Sequence, residues 1–295
     1  MLVGECEERG FARRVIELRP GEAGGLAGLD FGDADRPVDT LFLHANGFNA
    51  LTYRSVLEPL GARQHVLAVD QRGHGRTTLR GRTEGRRSWD DLAADVVALL
   101  DTLDGPALTL AGHSIGGTAS VLAARQRPKR VRRLVLFDPV ILPWPVSLAV
   151  RFGFRARWLT SLRKLSDGAL RRRPIFPSRA AALAAYRGRG AFKTWDAQQL
   201  ADYIADGFRD RPDGTVELAC RPEWESSNFL SHAHDVWGAL RRVECPVDIF
   251  RAGTGSTCAV SAPLGSSMTV QTIPGTTHFL PLERPDLVRQ ALGRP

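Results

Sequence analysis

Apolar positions along the first part of the chain fall into short runs punctuated by Gly and Pro, and their spacing predicts strands over Ala12 to Leu18, Leu26 to Phe31 and Val38 to His44. The third run is almost wholly apolar, as a strand covered on both faces must be. Helical and strand periods then alternate. Helices are expected over Thr52 to Leu60, Ser88 to Leu103 and Ile115 to Arg127, and strands over His65 to Asp70, Ala107 to Ala111 and Val131 to Phe137. Such alternation predicts an α/β fold with a mostly parallel central sheet flanked by helices. In the helix from Ser88, that serine is placed to cap, Asp90 and Asp91 suit the positive end, and Leu92, Val96, Leu99, Leu100 and Leu103 share one face.

At Pro143 the texture changes to about ninety residues rich in Arg, Ala and aromatics, with helical stretches at Arg179 to Tyr186 and Ala197 to Asp206. This reads as an α-helical cap inserted into the core. The core pattern resumes with a helix at Val236 to Arg241, strands at Val247 to Arg251 and Met268 to Ile273, and a last helix from Arg284 to Leu292 with Pro285 in its first turn. The expected division is a first core segment 1–142, a cap 143–234 and a second core segment 235–295.

Composition narrows the class. With 295 residues, 43% hydrophobic, 24% charged and four cysteines, the chain is neither disordered, nor collagen-like, nor a disulfide scaffold. Cys6, Cys220, Cys245 and Cys258 lack metal or redox spacing, so neither a metal nor a cofactor is expected. The N-terminal segment carries Glu7 and Glu8 and never builds an apolar run of about 7–15 residues, so no signal peptide is read and a cytoplasmic location is expected. The window Leu134 to Val150 is broken by Asp138 and three prolines, so it does not supply the roughly 20 apolar residues of a membrane span.

The formal net charge of +8 is unevenly placed: between Arg151 and Lys193 stand twelve basic residues against Asp167 alone. A basic stripe of this kind can attract nucleic acid, anionic lipid or an acidic substrate, or serve as a solvated helix face. No recognisable nucleic-acid module accompanies it, and the solvated face is the expected reading.

Chemistry concentrates in Gly112-His113-Ser114-Ile115-Gly116, a G-x-S-x-G pattern between the strand ALTLA and a helix-compatible run. Side chains at Gly112 and Gly116 would collide in the strained turn that such a nucleophile needs, and the Ile115 amide at the helix start would face a developing oxyanion. A serine hydroxyl near neutral pH needs a base. Of seven histidines, His278 follows the strand Met268 to Ile273 and the turn Pro274 to Thr277, which puts it at the same sheet edge as Ser114.

These segments resemble enzymes of the α/β-hydrolase fold. Leu43-His44-Ala45-Asn46-Gly47-Phe48 is similar to the family's oxyanion loop, Asp70-Gln71-Arg72-Gly73-His74-Gly75 to its D-x-R-G-x-G turn, Gly112 to Gly116 to its nucleophile elbow, and Gly275 to Pro285 to its histidine segment. They occur in the family's order from about residue 11 onward, outside the cap. The resemblance implies a Ser114–His278 pair oriented by a carboxylate. The usual G-x-x-D position here reads Gly253-Thr254-Gly255-Ser256, without an acid. Some members carry the acid one strand earlier, and Asp138, directly after Leu134 to Phe137, takes that place. The competing reading makes Asp138 the start of the turn at Pro139 and leaves Ser256 or a water to orient His278. The second oxyanion donor is expected at Asn46, with Phe48 as the alternative. His113, Trp144 and Trp224 are expected to contact substrate, and the Asp70 turn is expected to be structural.

A serine at the elbow implies an acyl-enzyme and hydrolysis of a small ester-type substrate, including lactones and thioesters. It disfavours the alkyl-enzyme chemistry of dehalogenases and epoxide hydrolases. Cofactor-free perhydrolysis, C–C bond hydrolysis and a non-catalytic receptor sharing the pocket are the alternatives. Pro222-Glu223-Trp224-Glu225 is expected either to close the site or to pair with the Arg stripe.

Overall fold

A computed structural model describes residues 10–154 and 160–294. Cys6, Arg155, Arg157 and Trp158 lie outside the described residues. Strands β1 (Ala12–Ile16), β2 (Leu26–Phe31), β3 (Thr40–Leu43), β4 (Val66–Val69), β5 (Leu108–His113), β6 (Val131–Phe137), β10 (Val247–Ala252) and β11 (Met268–Ile273) build one eight-stranded sheet in the order β1-β2-β4-β3-β5-β6-β10-β11. Only β1–β2 and β2–β4 pair antiparallel; the remaining ladders are parallel.

Alternation along the strands assigns successive side chains to opposite faces. Leu41, Leu43, Leu110, Leu134, Leu136 and Ile249 join one core with helices α2 (Asp90–Thr102), α3 (Ile115–Gln126) and α9 (Val236–Leu240). Phe42, Ala111, Val135, Phe137 and Phe250 join the other with α1 (Arg54–Leu57), α10 (Leu280–Glu283) and α11 (Pro285–Leu292). β3 and β5 are buried throughout, because helices cover both faces. The expected helix at Thr52 to Leu60 is a single α turn between two 3-10 turns, Ala50–Tyr53 and Glu58–Ala62, with Pro59 opening the second. Ser88 stands one residue before the N-cap position of α2, which Trp89 holds without a side-chain bond; the Ser88 hydroxyl accepts from the Asp90 amide at 3.4 Å and donates to the Asp90 carboxylate at 2.7 Å.

Between β6 and α9 lie α4 (Trp144–Arg151), α5 (Thr160–Leu170), α6 (Arg179–Tyr186), α7 (Ala197–Gly207) and α8 (Pro222–Leu230). A separate antiparallel sheet of β7 (Ile175–Phe176), β8 (Phe208–Asp210) and β9 (Val216–Leu218) stands among them. The sequence pattern had shown only α6 and α7 of these. α7 starts with a full capping box, Asp196 accepting from the Gln199 amide while the Gln199 side chain accepts from the Asp196 amide. This segment is bolted to the core: Asn49 Nδ2 donates to Tyr203 O at 2.9 Å, and the Trp89 indole donates to Asn228 O at 3.0 Å. Among the described residues no helix is long and apolar enough to cross a membrane.

The turn between β5 and α3 leaves no room for a methyl group. A Cβ at Gly116 would sit 2.4 Å from Leu43 O and 2.6 Å from His44 O, both backbone, whereas one at Gly265 meets open space. Gly116→Ala is therefore expected to destabilise by about 3 kcal/mol or more, or to abolish folding, while Gly265→Ala changes stability by about 0.5 kcal/mol at most. Denaturant unfolding of the two variants measures the difference.

Candidate active site

Three sequence-remote side chains meet at the carboxyl edge of the sheet. Ser114 follows β5 at φ 58°, ψ −122°, a strained backbone that lifts its hydroxyl above the sheet edge. Asp138 follows the adjacent strand β6, also at positive φ (41°), and His278 lies in the loop after β11. His278 Nε2 is 3.0 Å from Ser114 Oγ, and Nδ1 is 2.6 Å from Asp138 Oδ2. The histidine side chain is 25% exposed and Asp138 fully buried, so the proton-carrying end of the line faces the cavity while its anionic end is sealed.

A carboxylate without solvent must be matched by donors. Asp138 accepts from the amides of Ala252 (2.9 Å) and Thr257 (3.0 Å) and from the hydroxyls of Ser256 and Thr257. Burial alone would raise its pKa. The His278 bond and charge, followed by the Ser256 hydroxyl and the Ala252 amide, outweigh that and hold the carboxyl below the ordinary range. The turn after β10, which lacks an acid, thus surrounds the acid of β6 with donors. Ser256 binds Asp138 rather than His278, and Thr257 Oγ1 is 3.4 Å from His278 Nδ1. Glu283 anchors the loop bearing His278, accepting from the amide and hydroxyl of Thr277, both at 2.7 Å.

The loop after β3 is shaped by neutral histidines. His44 Nδ1 donates to Ala45 O at 2.7 Å while Nε2 accepts from the Gln71 amide at 2.9 Å. His74 Nδ1 donates to Arg72 O, and Nε2 accepts from the Gly47 amide at 3.1 Å. Burial pushes His44 down to about 4 and His74 well below its usual value. The Asp70 carboxylate accepts from the Ala50 and Arg76 amides, both at 2.7 Å, and so fixes the turns beside this loop. A further relay joins loop and base: the Ala45 amide donates to the Tyr53 hydroxyl, Tyr53 to His113 Nδ1 (2.7 Å), and His113 Nε2 to His278 O (2.7 Å). These bonds specify the Nε2–H tautomer of His113. Burial and the nearby His278 lower its pKa to about 3.

A cavity of about 670 Å³ opens over Ser114 and His278 and is walled by residues including Phe48, Ile115, Leu162, Tyr186, Phe192 and Phe279. Asn46 and Ile115 both border it, and among the described residues no protein acceptor takes either backbone amide. The Phe48 amide is already given to Ala45 O at 3.1 Å, so Phe48 contributes its ring rather than an N–H. The Asn46 side chain is likewise occupied, Nδ2 donating to Glu225 O and Oδ1 accepting from Asn228, which leaves its backbone amide.

Three expected substrate contacts fall elsewhere. His113 is fully buried behind His278, its two ring nitrogens both bonded to protein. Trp144 lies on α4, 47% exposed and outside the cavity wall. Trp224 is buried against Gly73 and Gly81, its indole donating to Arg72 O at 2.9 Å and its ring lying 4.2 Å from the Arg86 guanidinium carbon. The reason is common to all three: aromatic character marks burial or surface equally well, and only the packing of the 143–234 segment separates them. Of the 222–225 motif, Glu225 pairs with Arg172 of the basic stripe, in the cavity wall. Arg172 also donates to the Tyr203 hydroxyl at 2.7 Å and the Tyr186 hydroxyl at 3.3 Å. No local signal in the sequence picked out Tyr53, Thr257 or Arg172.

Fold and site together define a class, and the chain belongs to the alpha/beta hydrolase family, whose model matches residues 40–291. In particular it is similar to 2-(acetamidomethylene)succinate hydrolase of Mesorhizobium japonicum, 26% identical over 261 residues and covering 85% of each chain. It also resembles an esterase of Mycobacterium tuberculosis, 31% identical over 138 residues, spanning 47% of this chain and 44% of that protein. Among solved structures, that of E-2-(acetamidomethylene)succinate hydrolase superposes with a TM-score of 0.75 at 24% identity, covering 96% of this chain and 97% of the other, a likeness of fold.

Buried neutral histidines couple stability to acid. His44, His113 and His232 have folded values of about 4, 3 and 4, against an ordinary value of 6.5. Between those values the unfolded chain binds more protons than the folded one, so stability falls as pH drops from 6.5 toward 4, by about 1.4 kcal/mol per pH unit for each histidine that stays neutral. The thermal midpoint is expected to change little between about pH 7.5 and 6.5 and to decline from there to about pH 4.5; a profile flat down to about pH 4.5 contradicts the neutral assignment.

Proposed function

We propose that this chain is a serine hydrolase that forms an acyl-enzyme on a small ester-type substrate. The observation that carries the reading is the hydrogen-bonded line from buried Asp138 through His278 to Ser114 at the floor of an apolar cavity. Ser114 Oγ bonds to the carbonyl carbon as its proton passes to His278 Nε2. The C–O bond to the leaving group then breaks, and the departing oxygen takes that proton. Water next gives a proton to His278 and attacks the acyl carbon; the bond to Ser114 Oγ breaks, the serine recovers its proton, and the acid leaves. The backbone amides of Ile115 and Asn46 serve as oxyanion donors, and Asp138 holds the histidine tautomer and balances the imidazolium.

In this reading residues 143–234 act as a cap that closes the cavity, with 1–142 and 235–295 forming the core, and the cavity's apolar wall takes the acyl portion. Similarity to a succinate-derivative hydrolase and to an esterase supports hydrolysis at a carbonyl carbon.

A fluorophosphonate probe is expected to label the wild-type protein and not Ser114→Ala, and the variant to lose about 10⁴-fold or more in kcat on p-nitrophenyl esters. Asp138→Asn is expected to lower kcat by about 10²–10⁴-fold with little change in KM. Ser256→Ala, which removes one of several donors to that carboxylate, costs about tenfold or less. Absent labelling together with turnover unaffected by Ser114→Ala would overturn the assignment.

A further inference from the structure

The basic stripe meets the cavity at three positions, and their surroundings differ. Arg172 is enclosed and matched by the Glu225 carboxylate and two tyrosine hydroxyls. Lys164 and Arg189 are exposed, line the cavity, and have no ion-pair partner among the described residues. Asp167, the stripe's single acid, stands three residues after Lys164 on α5 yet is not within ion-pair distance of it. The geometry of α5 explains the arrangement. Leu162, Leu165 and Ala169 recur at helical spacing and face the cavity, and Arg172 follows just past the end of the helix. Lys164 flanks that face, where a long stem can lie along apolar surface with its ammonium in water. Arg163, Arg171, Arg187 and Lys193 adjoin these lining residues in sequence, and among the described residues they too lack an ion pair. With Glu225 neutralised by Arg172, the cavity wall has a net positive charge at its exposed side and an apolar interior.

Building on the serine-hydrolase reading, we propose that the substrate is an acyl compound carrying an anionic group, carboxylate or phosphate, remote from the scissile carbonyl, and that Lys164 and Arg189 bind that group while the carbonyl sits over Ser114. Exposed charge contacts are individually weak and screened by salt, so their signature is a modest, additive and salt-sensitive gain in kcat/KM. A cleft lined by one sign of charge adds to this by raising the local concentration of the anion.

Two matched substrate pairs test the assignment on the full chain. In the first, the hexanoyl thioester of coenzyme A, with its phosphates, is compared with the neutral hexanoyl thioester of N-acetylcysteamine. In the second, the mono-p-nitrophenyl ester of adipate, with its terminal carboxylate, is compared with p-nitrophenyl hexanoate. The readout is the anionic-to-neutral ratio of kcat/KM, taken on a single protein preparation so that any loss of folded protein cancels. In at least one pair the ratio is expected to fall about three- to tenfold in K164Q/R189Q, to stay near its wild-type value in K164R/R189K, and to drop as sodium chloride rises from about 20 mM to about 500 mM. A ratio that changes in the thioester pair puts the anion on the leaving group; one that changes in the ester pair puts it on the acyl chain. Ratios in both pairs that are indifferent to salt or to K164Q/R189Q overturn the proposal. Should the neutral esters be turned over equally by wild type and Ser114→Ala, the hydrolase reading has failed; Ser114-dependent turnover without anion preference sinks this inference alone.

Discussion

A carboxylate with no exposed surface, held beside an imidazole, is the constraint around which this molecule is arranged. In a medium of low polarity the ionised form of Asp138 survives only if its oxygens are fully bonded, and every donor except His278 comes from Ala252 at the end of β10 or from the turn between β10 and the isolated bridge at Cys258. That turn therefore has to close tightly over the end of β6, and it does so because β6 and β10 are neighbouring parallel strands whose carboxyl ends coincide. The location of the acid one strand earlier than the usual turn leaves the same acid–imidazole contact intact. Distance in the fold, not order in the chain, decides which carboxylate faces the base.

The same economy governs the other polar groups behind the cavity. His44, His74 and His113 are all buried, and each is used as a neutral two-ended connector, donating with one nitrogen and accepting with the other. Together with Tyr53 they tie the loop after β3 to the loop bearing His278, so the backbone amides bordering the cavity and the base are positioned by one continuous network. A protonated imidazole at any of these places would lose its acceptor role and face uncompensated burial. Acid sensitivity is thus a by-product of how the site is supported.

The segment between β6 and α9 contributes a second kind of control. Asn228 and the Glu225 carbonyl on α8 hold the Asn46 side chain, and the Glu225 carboxylate reaches Arg172 just past the end of α5. The cavity wall and the loop under it are therefore parts of one assembly. Most of the residues walling the cavity come from this segment, while Ser114 and His278 stand at the carboxyl edge of the central sheet.

By itself the sequence determined the eight-stranded α/β core, because strand and helix periods differ and punctuation by Gly and Pro is local information. It also placed Ser114 and His278 after strands at a common edge, and the family resemblance pointed to Asp138 at the end of β6 over a purely structural turn. It placed the cap of α2 one residue early, at Ser88 rather than Trp89, and it missed α4, α5, α8 and the small antiparallel sheet. In that region short elements draw their stability from packing rather than from periodicity. Only the tertiary structure decided that Trp224 is a buried pin, that Trp144 faces outward, that His113 supports His278 from behind, and that among the described residues Arg172 alone of the cavity's cations is neutralised. An aromatic ring, an imidazole or a guanidinium takes its role from its neighbours in space, and those neighbours here lie from about fifty to more than a hundred and fifty residues away along the chain.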